Sequence, residues 1–324
     1  MSQSTPLNIT LVGAGTIGLS FAALHLDHAS RSGPNRLHLT IYDTRPDLES
    51  YVTKTLPTYI ALSFKKLPGR SPTSYSIRTD HDDSPHTISF NDDLKSAVSS
   101  ASIVQEQGPE STSFKIAIWP EIESHCPSDA LLWSSTSGIP ASTQCANMKD
   151  PSRLVVVHPY NPPHIMPLLE IVPSPATDSR VINRTLEFWQ NKGRTPIVLK
   201  KEAIGFIANR LAFALLREAI HLVNEGVASV RDIDDLMTSS MGPRWAVAGI
   251  FKSYHAGGGV GGLEGFFKNI GGTVQACWDD GGRVNVGEGW EDDVFRQTRQ
   301  AYGEVDLTER DVLTRRVLEA VRQN

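Results

Sequence analysis

Strands that alternate with helices as far as residue 200, followed by helical patterning alone, predict an α/β chain: a doubly wound sheet and then a smaller all-helical domain. Three stretches carry that prediction. An apolar strand runs straight into a glycine turn and a helix at 7–28, two short β-branched runs stand at 153–157 and 168–172, and an apolar stripe with helical spacing runs from Phe206 to Val223. The expected domains are residues 1–200 and 201–324.

Leu7 to Val12 is the first strand, and Gly13-Ala-Gly15-Thr16-Ile17-Gly18 opens a helix that reaches about His28. Gly13 suits a tight turn, Gly15 lets backbone amides approach a pyrophosphate, and Gly18 allows close packing of helix on strand. With Thr16 and Ile17, these glycines present a helix amino end to phosphate charge. The next strand, Leu37 to Tyr42, ends in Asp43, placed to bind the adenosine ribose hydroxyls and repel a 2′-phosphate. This is a Rossmann-type reading with NAD as cofactor; Arg45 alone keeps NADP arguable. The segment Arg31 to Arg36 reads as an inserted loop.

Pro46 to Ile60 begins a helix, but Pro57, Pro68 and Pro72 break the stretch beyond it, and 69–88 shows no clear period. Asn91-Asp92-Asp93 caps a short helix. The strand Ala101 to Gln105 then delivers Glu106 to the carboxyl end of the sheet, where open α/β sheets bind ligands. Leu131 to Ser135 brings Ser137 to the same rim, as a partner for a substrate oxygen or the nicotinamide, or else as a helix cap before Pro140.

Arg153 to Val157 delivers His158, and three prolines (Pro159, Pro162, Pro163) force a stiff turn before the strand Leu168 to Val172. Glu170 lies inside that apolar strand, where an unpaired carboxylate is costly, and His158 is its nearest donor. A carboxylate on one imidazole nitrogen frees the other to act as a general base. The alternative is a satisfied core pair. Thr177 to Lys192 and Pro196 to Leu199 complete the alternation. From Gly205 the chain is helical, with Asn209 facing back or serving as a cap, a helix capped by Ser229, and a last one from Leu307 to Val321. Gly257, Gly259 and Gly262 repeat the glycine spacing without a strand before it. Gly265 and Gly271-Gly272 come too soon after it for a full helix, so a flexible or ligand-covering loop is expected there.

The chain has 324 residues, 40% hydrophobic and 21% charged, enough for two cores. A net charge of -5 with no basic cluster excludes nucleic acid as an expected partner. Cys126, Cys145 and Cys277 lack metal or CxxC spacing, so buried reduced thiols and no metal site are expected. No stretch reads as a leader or a bilayer span, which points to the cytosol and no membrane.

The motifs VGAGTIG (12–18), VQEQGPES (104–111), SSTSGIP (134–140), HPYNPPHIMPLLEIVP (158–173), GFIANRL (205–211) and MGPRWAVAG (241–249) resemble the 3-hydroxyacyl-CoA dehydrogenase superfamily over nearly the whole chain. Within it, the likeness is to the L-gulonate 3-dehydrogenase and lambda-crystallin branch. The resemblance implies an NAD-dependent 3-hydroxy acid dehydrogenase with Ser137, His158, Glu170 and Asn209 as catalytic group, Glu106 and Lys115 near the nicotinamide, and a helical domain that forms a homodimer. Arg244 is the candidate clamp for a substrate carboxylate, or a surface arginine. The 56–90 region does not look like the helical excursion that holds coenzyme A in fatty-acid enzymes, which speaks against an acyl-CoA substrate. The 256–262 run resembles carnitine dehydrogenases. An idle crystallin-like protein is the rival from another class.

Overall fold

The computed structural model describes residues 6–31, 36–69, 73–79, 86–304 and 306–322. The chain divides into two compact units, residues 1–210 and 211–324. The loop expected at 31–36 falls largely outside the described residues.

The first unit runs β1 (Leu7–Val12), α1 (Thr16–Arg31), β2 (Leu37–Tyr42), α2 (Leu48–Thr55), β3 (Leu62–Lys66), β4 (Ser74–Thr79), β5 (Thr87–Asn91), α3 (Leu94–Val98), β6 (Ile103–Glu106), α4 (Thr112–His125), β7 (Leu131–Ser134), α5 (Ala141–Gln144), β8 (Leu154–Pro159), β9 (Leu168–Pro173), α6 (Ser179–Asn191) and β10 (Thr195–Val198). One sheet holds them in the order β10-β9-β8-β7-β6-β1-β2-β5-β4-β3. The six central strands, from β8 across to β5, are parallel, and β9 turns back antiparallel on β8. Because β1 pairs with β2 on one side and β6 on the other, chain direction switches at its carboxyl end, which opens the crevice such sheets use for ligands.

Both faces are covered, as continuous apolar strands require. Ile9 and Leu11 of β1 and Val155 and Val157 of β8 pack with Phe21 and Leu26 of α1 and Trp189 of α6. Val12, Val104, Leu132 and Leu154 pack on the opposite face with α3 and with Trp119 and Ile122 of α4. Strand alternation therefore feeds two separate cores.

Three features differ from the sequence expectations. The aperiodic 69–88 region contributes β4 and part of β5, and β3 and β4 extend the sheet antiparallel. Their pattern is weak because β3 is an edge strand that shows Lys65 and Lys66 to solvent. Helix α4 has no clear sequence signature because Pro120 lies inside it, although Ser111 caps it by accepting from the Phe114 N–H. The glycine-rich run is no loop, as the second unit makes clear.

Helix α7 (Ala208–Asn224) begins at the end of the first unit. It is followed by α8 (Val230–Ser239), α9 (Met241–Val247), α10 (Ile250–Gly257), α11 (Gly262–Asp280), α12 (Glu291–Tyr302) and α13 (Leu307–Arg322). Ser229 and Asp232 form a reciprocal capping box for α8. Gly265, Gly271 and Gly272 all sit within α11, correcting the expected interruption. A Cβ on Gly258 would lie 1.6 Å from the Gly262 carbonyl oxygen, so this run lets two helices meet at a sharp corner. Local propensity lost to that close approach.

Leu211, Leu216, Phe251 and Trp278 are exposed. Cys277, expected to be buried, is exposed as well, while Cys126 and Cys145 are half-buried. Among the described residues, no helix is long and apolar enough to cross a membrane, and no acidic, histidine or cysteine group could hold a metal.

Candidate active site

The glycine turn closes at the carboxyl end of β1. Gly13 takes φ +113°, and its N–H donates to the Tyr42 carbonyl at 2.8 Å. A Cβ on Gly18 would lie 2.0 Å from the Gly13 oxygen, so α1 can press on the turn only without a side chain there. A Cβ on Gly15 would meet no atom within 4 Å, so the mouth of the turn is open beside the start of α1. Thr16 and Ile17 form that first turn of helix. This cradle fits a pyrophosphate. Gln107, which stands in no motif that singles it out, packs behind it with both side-chain amide atoms buried and unpartnered among the described residues.

Asp43 comes directly after β2. Its Oδ2 accepts the Ala14 N–H at 2.7 Å, tying the carboxylate to the glycine turn, and its Oδ1 accepts the Arg45 N–H at 3.0 Å. The Arg45 guanidinium, which left NADP arguable, is bonded to Asp47 at 2.8 Å and lies over the Tyr51 ring at 3.4 Å. It is therefore already engaged by a carboxylate and a ring. A cavity of about 670 Å³ lined by Thr44, Arg45, Leu48, Phe90 and Asn91 adjoins Asp43, large enough for an adenosine.

Glu106 and Lys115 come together as a buried ion pair. Lys115 Nζ stands 2.8 and 2.9 Å from the two carboxylate oxygens, which also accept from the Gly108 N–H (2.6 Å) and the Ser134 hydroxyl (3.2 Å). Both side chains are fully buried, so the pair braces the turn after β6 from behind. Glu110, which lies within the 104–111 motif but is not among the expected site residues, is the outer member: its Oε1 accepts the Thr136 hydroxyl (2.6 Å) and the Ser137 N–H (2.9 Å). The Ser137 carbonyl accepts from Asn209 Nδ2 at 3.0 Å. Ser137 is thus held by its backbone from both sides. It is not the cap of α5, whose N-cap is Pro140.

His158 and Glu170 are direct partners across β8 and β9. Nδ1 donates to Glu170 Oε2 at 2.8 Å, and both side chains are buried. Glu170 Oε1 accepts the N–H groups of Ile207 (2.8 Å) and Ala208 (3.0 Å) at the start of α7. Desolvation pushes the Glu170 carboxyl up, but the bonds from His158 and the two amides outweigh it and hold it below its ordinary range. The imidazole is fixed with Nδ1 as donor, leaving Nε2 without a hydrogen bond among the described residues. The first unit therefore gathers Ser137, His158, Glu170 and Asn209 on the rim that also carries the glycine turn. Arg244 lies in the second unit, exposed on α9.

Residues 8–203 match the family model described as the 3-hydroxyacyl-CoA dehydrogenase NAD binding domain, and residues 205–279 match that of the C-terminal domain. A 3-hydroxyacyl-CoA dehydrogenase of Gibberella moniliformis is 33% identical over 89% of this chain and 80% of its own. An L-carnitine dehydrogenase of Pseudomonas putida is 31% identical over 97% and 93%. Among solved structures, an NAD+-dependent 5-formyl-3-hydroxy-2-methylpyridine 4-carboxylic acid 5-dehydrogenase superposes with a TM-score of 0.74 at 26% identity, covering 98% of each chain.

Proposed function

Because the chain belongs to the 3-hydroxyacyl-CoA dehydrogenase family and is an NAD-dependent oxidoreductase, we propose that it oxidises the 3-hydroxyl of a small hydroxy acid of carnitine type. The observation that carries this reading is the His158–Glu170 contact, which leaves one imidazole nitrogen able to take a proton. His158 Nε2 removes the hydroxyl proton, and ionised Glu170 stabilises the imidazolium that forms. The Ser137 hydroxyl and Asn209 orient the substrate oxygen. NAD, when bound, supplies the hydride acceptor. The glycine turn, Thr16, Ile17 and Asp43 hold its phosphates and ribose, and Glu106 and Lys115 support the nicotinamide side.

The resemblance of the motifs by itself implies L-gulonate. The named relatives instead favour carnitine-type and acyl-CoA substrates, and the antiparallel β3–β5 extension, which takes the place of a helical excursion in the 56–90 region, argues against a thioester. Arg244 is the candidate partner for the substrate carboxylate. Residues 1–200 are assigned to cofactor binding and 201–324 to substrate binding and a homodimer contact, supported by the exposed apolar side chains of α7, α10 and α11. The idle crystallin-like reading is disfavoured by the complete catalytic group.

NADH formation over a panel of L-carnitine, L-gulonate, 3-hydroxybutyrate and a 3-hydroxyacyl-CoA tests the substrate class, with turnover of L-carnitine expected. His158→Gln should lose on the order of 10² to 10⁴ in turnover with NAD affinity kept. Full turnover in that variant removes His158 from the chemistry.

A further inference from the structure

Phe206 is the one described residue other than glycine with a left-handed backbone, at φ +55°. A bulky side chain seldom adopts that conformation, and such strain gathers at functional sites. Its surroundings explain why it is kept. The ring is fully buried in a small cluster with Ala141, Val156, Val172 and Leu199. It also lies against the His158 imidazole, with centroids 5.3 Å apart and planes inclined at 53°. The next two residues are Ile207 and Ala208, whose N–H groups both reach Glu170 Oε1.

We infer that Phe206 is the positioning residue of the His158–Glu170 pair: its left-handed backbone aims two amides at one carboxylate oxygen, while its ring closes one face of the imidazole. The inference rests on the reading of His158 as the base. Gly205, at φ +72°, begins the reversal, but the chain needs a second left-handed residue to enter α7 with two adjacent N–H groups converging. A glycine there would make the same turn without strain. A phenylalanine makes it and also sets its ring against the imidazole. Loss of the left-handed turn at 206 would let the amides drift, and a carboxylate relieved of two donors holds its partner's proton more tightly.

Three substitutions separate ring from backbone. Phe206→Leu keeps apolar volume and tolerates the left-handed turn about as well as phenylalanine. Phe206→Ile keeps the volume, but its β-branch resists that turn. Phe206→Gly takes the turn freely and has no ring. Each is measured for turnover, NAD affinity, and the pH midpoint of the acidic limb of kcat/KM, with His158→Gln alongside. Phe206→Ile should lose at least tenfold more kcat than Phe206→Leu and move the acidic limb to higher pH, with NAD affinity unchanged. Phe206→Gly should keep the wild-type limb while losing turnover. Isoleucine and leucine variants with the same kcat and the same limb overturn the inference. Should Phe206→Ile fail to fold, a displaced limb in Phe206→Gly overturns it instead. An inactive His158→Gln beside a flat Phe206 series sinks this inference alone, whereas an active one sinks the base assignment.

Discussion

Replacing Lys192 by methionine should stabilise the protein at neutral pH and do so less as the pH rises. Lys192 lies just past α6 and is buried beneath Phe188, whose ring it faces at 4.9 Å, and Arg194 is close enough to repel it. Desolvation first, and then Arg194, bring its ammonium down from 10.5 to about 7. Below pH 7 the folded chain must keep a charge in an apolar site. Between pH 7 and 10.5 the folded lysine is neutral while the unfolded one is protonated, so the unfolded state binds more protons and stability climbs with pH across that window. A gap of that size corresponds to roughly 5 kcal/mol when fully expressed. At pH 7 about 4 kcal/mol of it acts, and at pH 10 about 1 kcal/mol or less. Lost cation–π contact and relaxation of the side chain toward water offset on the order of 1–2 kcal/mol. Lys192→Met should therefore gain about 2–3 kcal/mol in urea unfolding at pH 7, and nothing or a small loss at pH 10. His28, held down to about 4 by desolvation and then by Lys192, should titrate higher in the same variant. A variant no more stable than wild type at pH 7, or one whose gain does not shrink with pH, would refute the desolvation account.

The glycine turn gives a paired test. Gly15→Ala adds a Cβ where the protein has no atom within 4 Å, so its urea midpoint should hold while NAD affinity, read by calorimetry, falls at least tenfold; unchanged affinity would place the pyrophosphate elsewhere. Gly18→Ala drives a Cβ into the Gly13 carbonyl and should lower stability by several kcal/mol before any ligand is added. Glu110→Ala removes the acceptor of both the Thr136 hydroxyl and the Ser137 N–H, and should cost about tenfold to a hundredfold in turnover. In a Ser137→Ala background the same change should cost much less, because the two act as a unit. Additive losses would mean that Glu110 does not work through Ser137.

Much of this molecule is set by local chemistry. The strand, glycine turn and helix at the amino end come from spacing alone, since a tight turn, an open mouth and a close helix each demand glycine at one position. The pairing of Glu170 with His158 came from cost: a carboxylate in an apolar strand needs a donor, and the prolines between them allowed only a short return. NAD over NADP was half legible, in Asp43; Arg45 became uninformative only when Asp47 and Tyr51 took its guanidinium.

Other features had no local signal. The Glu106–Lys115 pair is fully buried, Glu110 grips a loop 26 residues away in sequence, and the Ile207 and Ala208 amides reach Glu170 across 37 and 38 residues. The last two depend on which strands and loops become neighbours, and even Glu106 and Lys115, nine residues apart, meet only because α4 folds back behind the end of β6. The glycine run at 257–262 shows the same limit from the other side: read locally it breaks structure, yet it forms a helical corner because two backbones approach too closely for any side chain. Sequence decided the elements and the residue types that chemistry requires, because those answer to period, propensity and desolvation cost. Beyond the His158–Glu170 pair, tertiary structure decided which polar groups hold one another in place, because that depends on distances the folded chain sets.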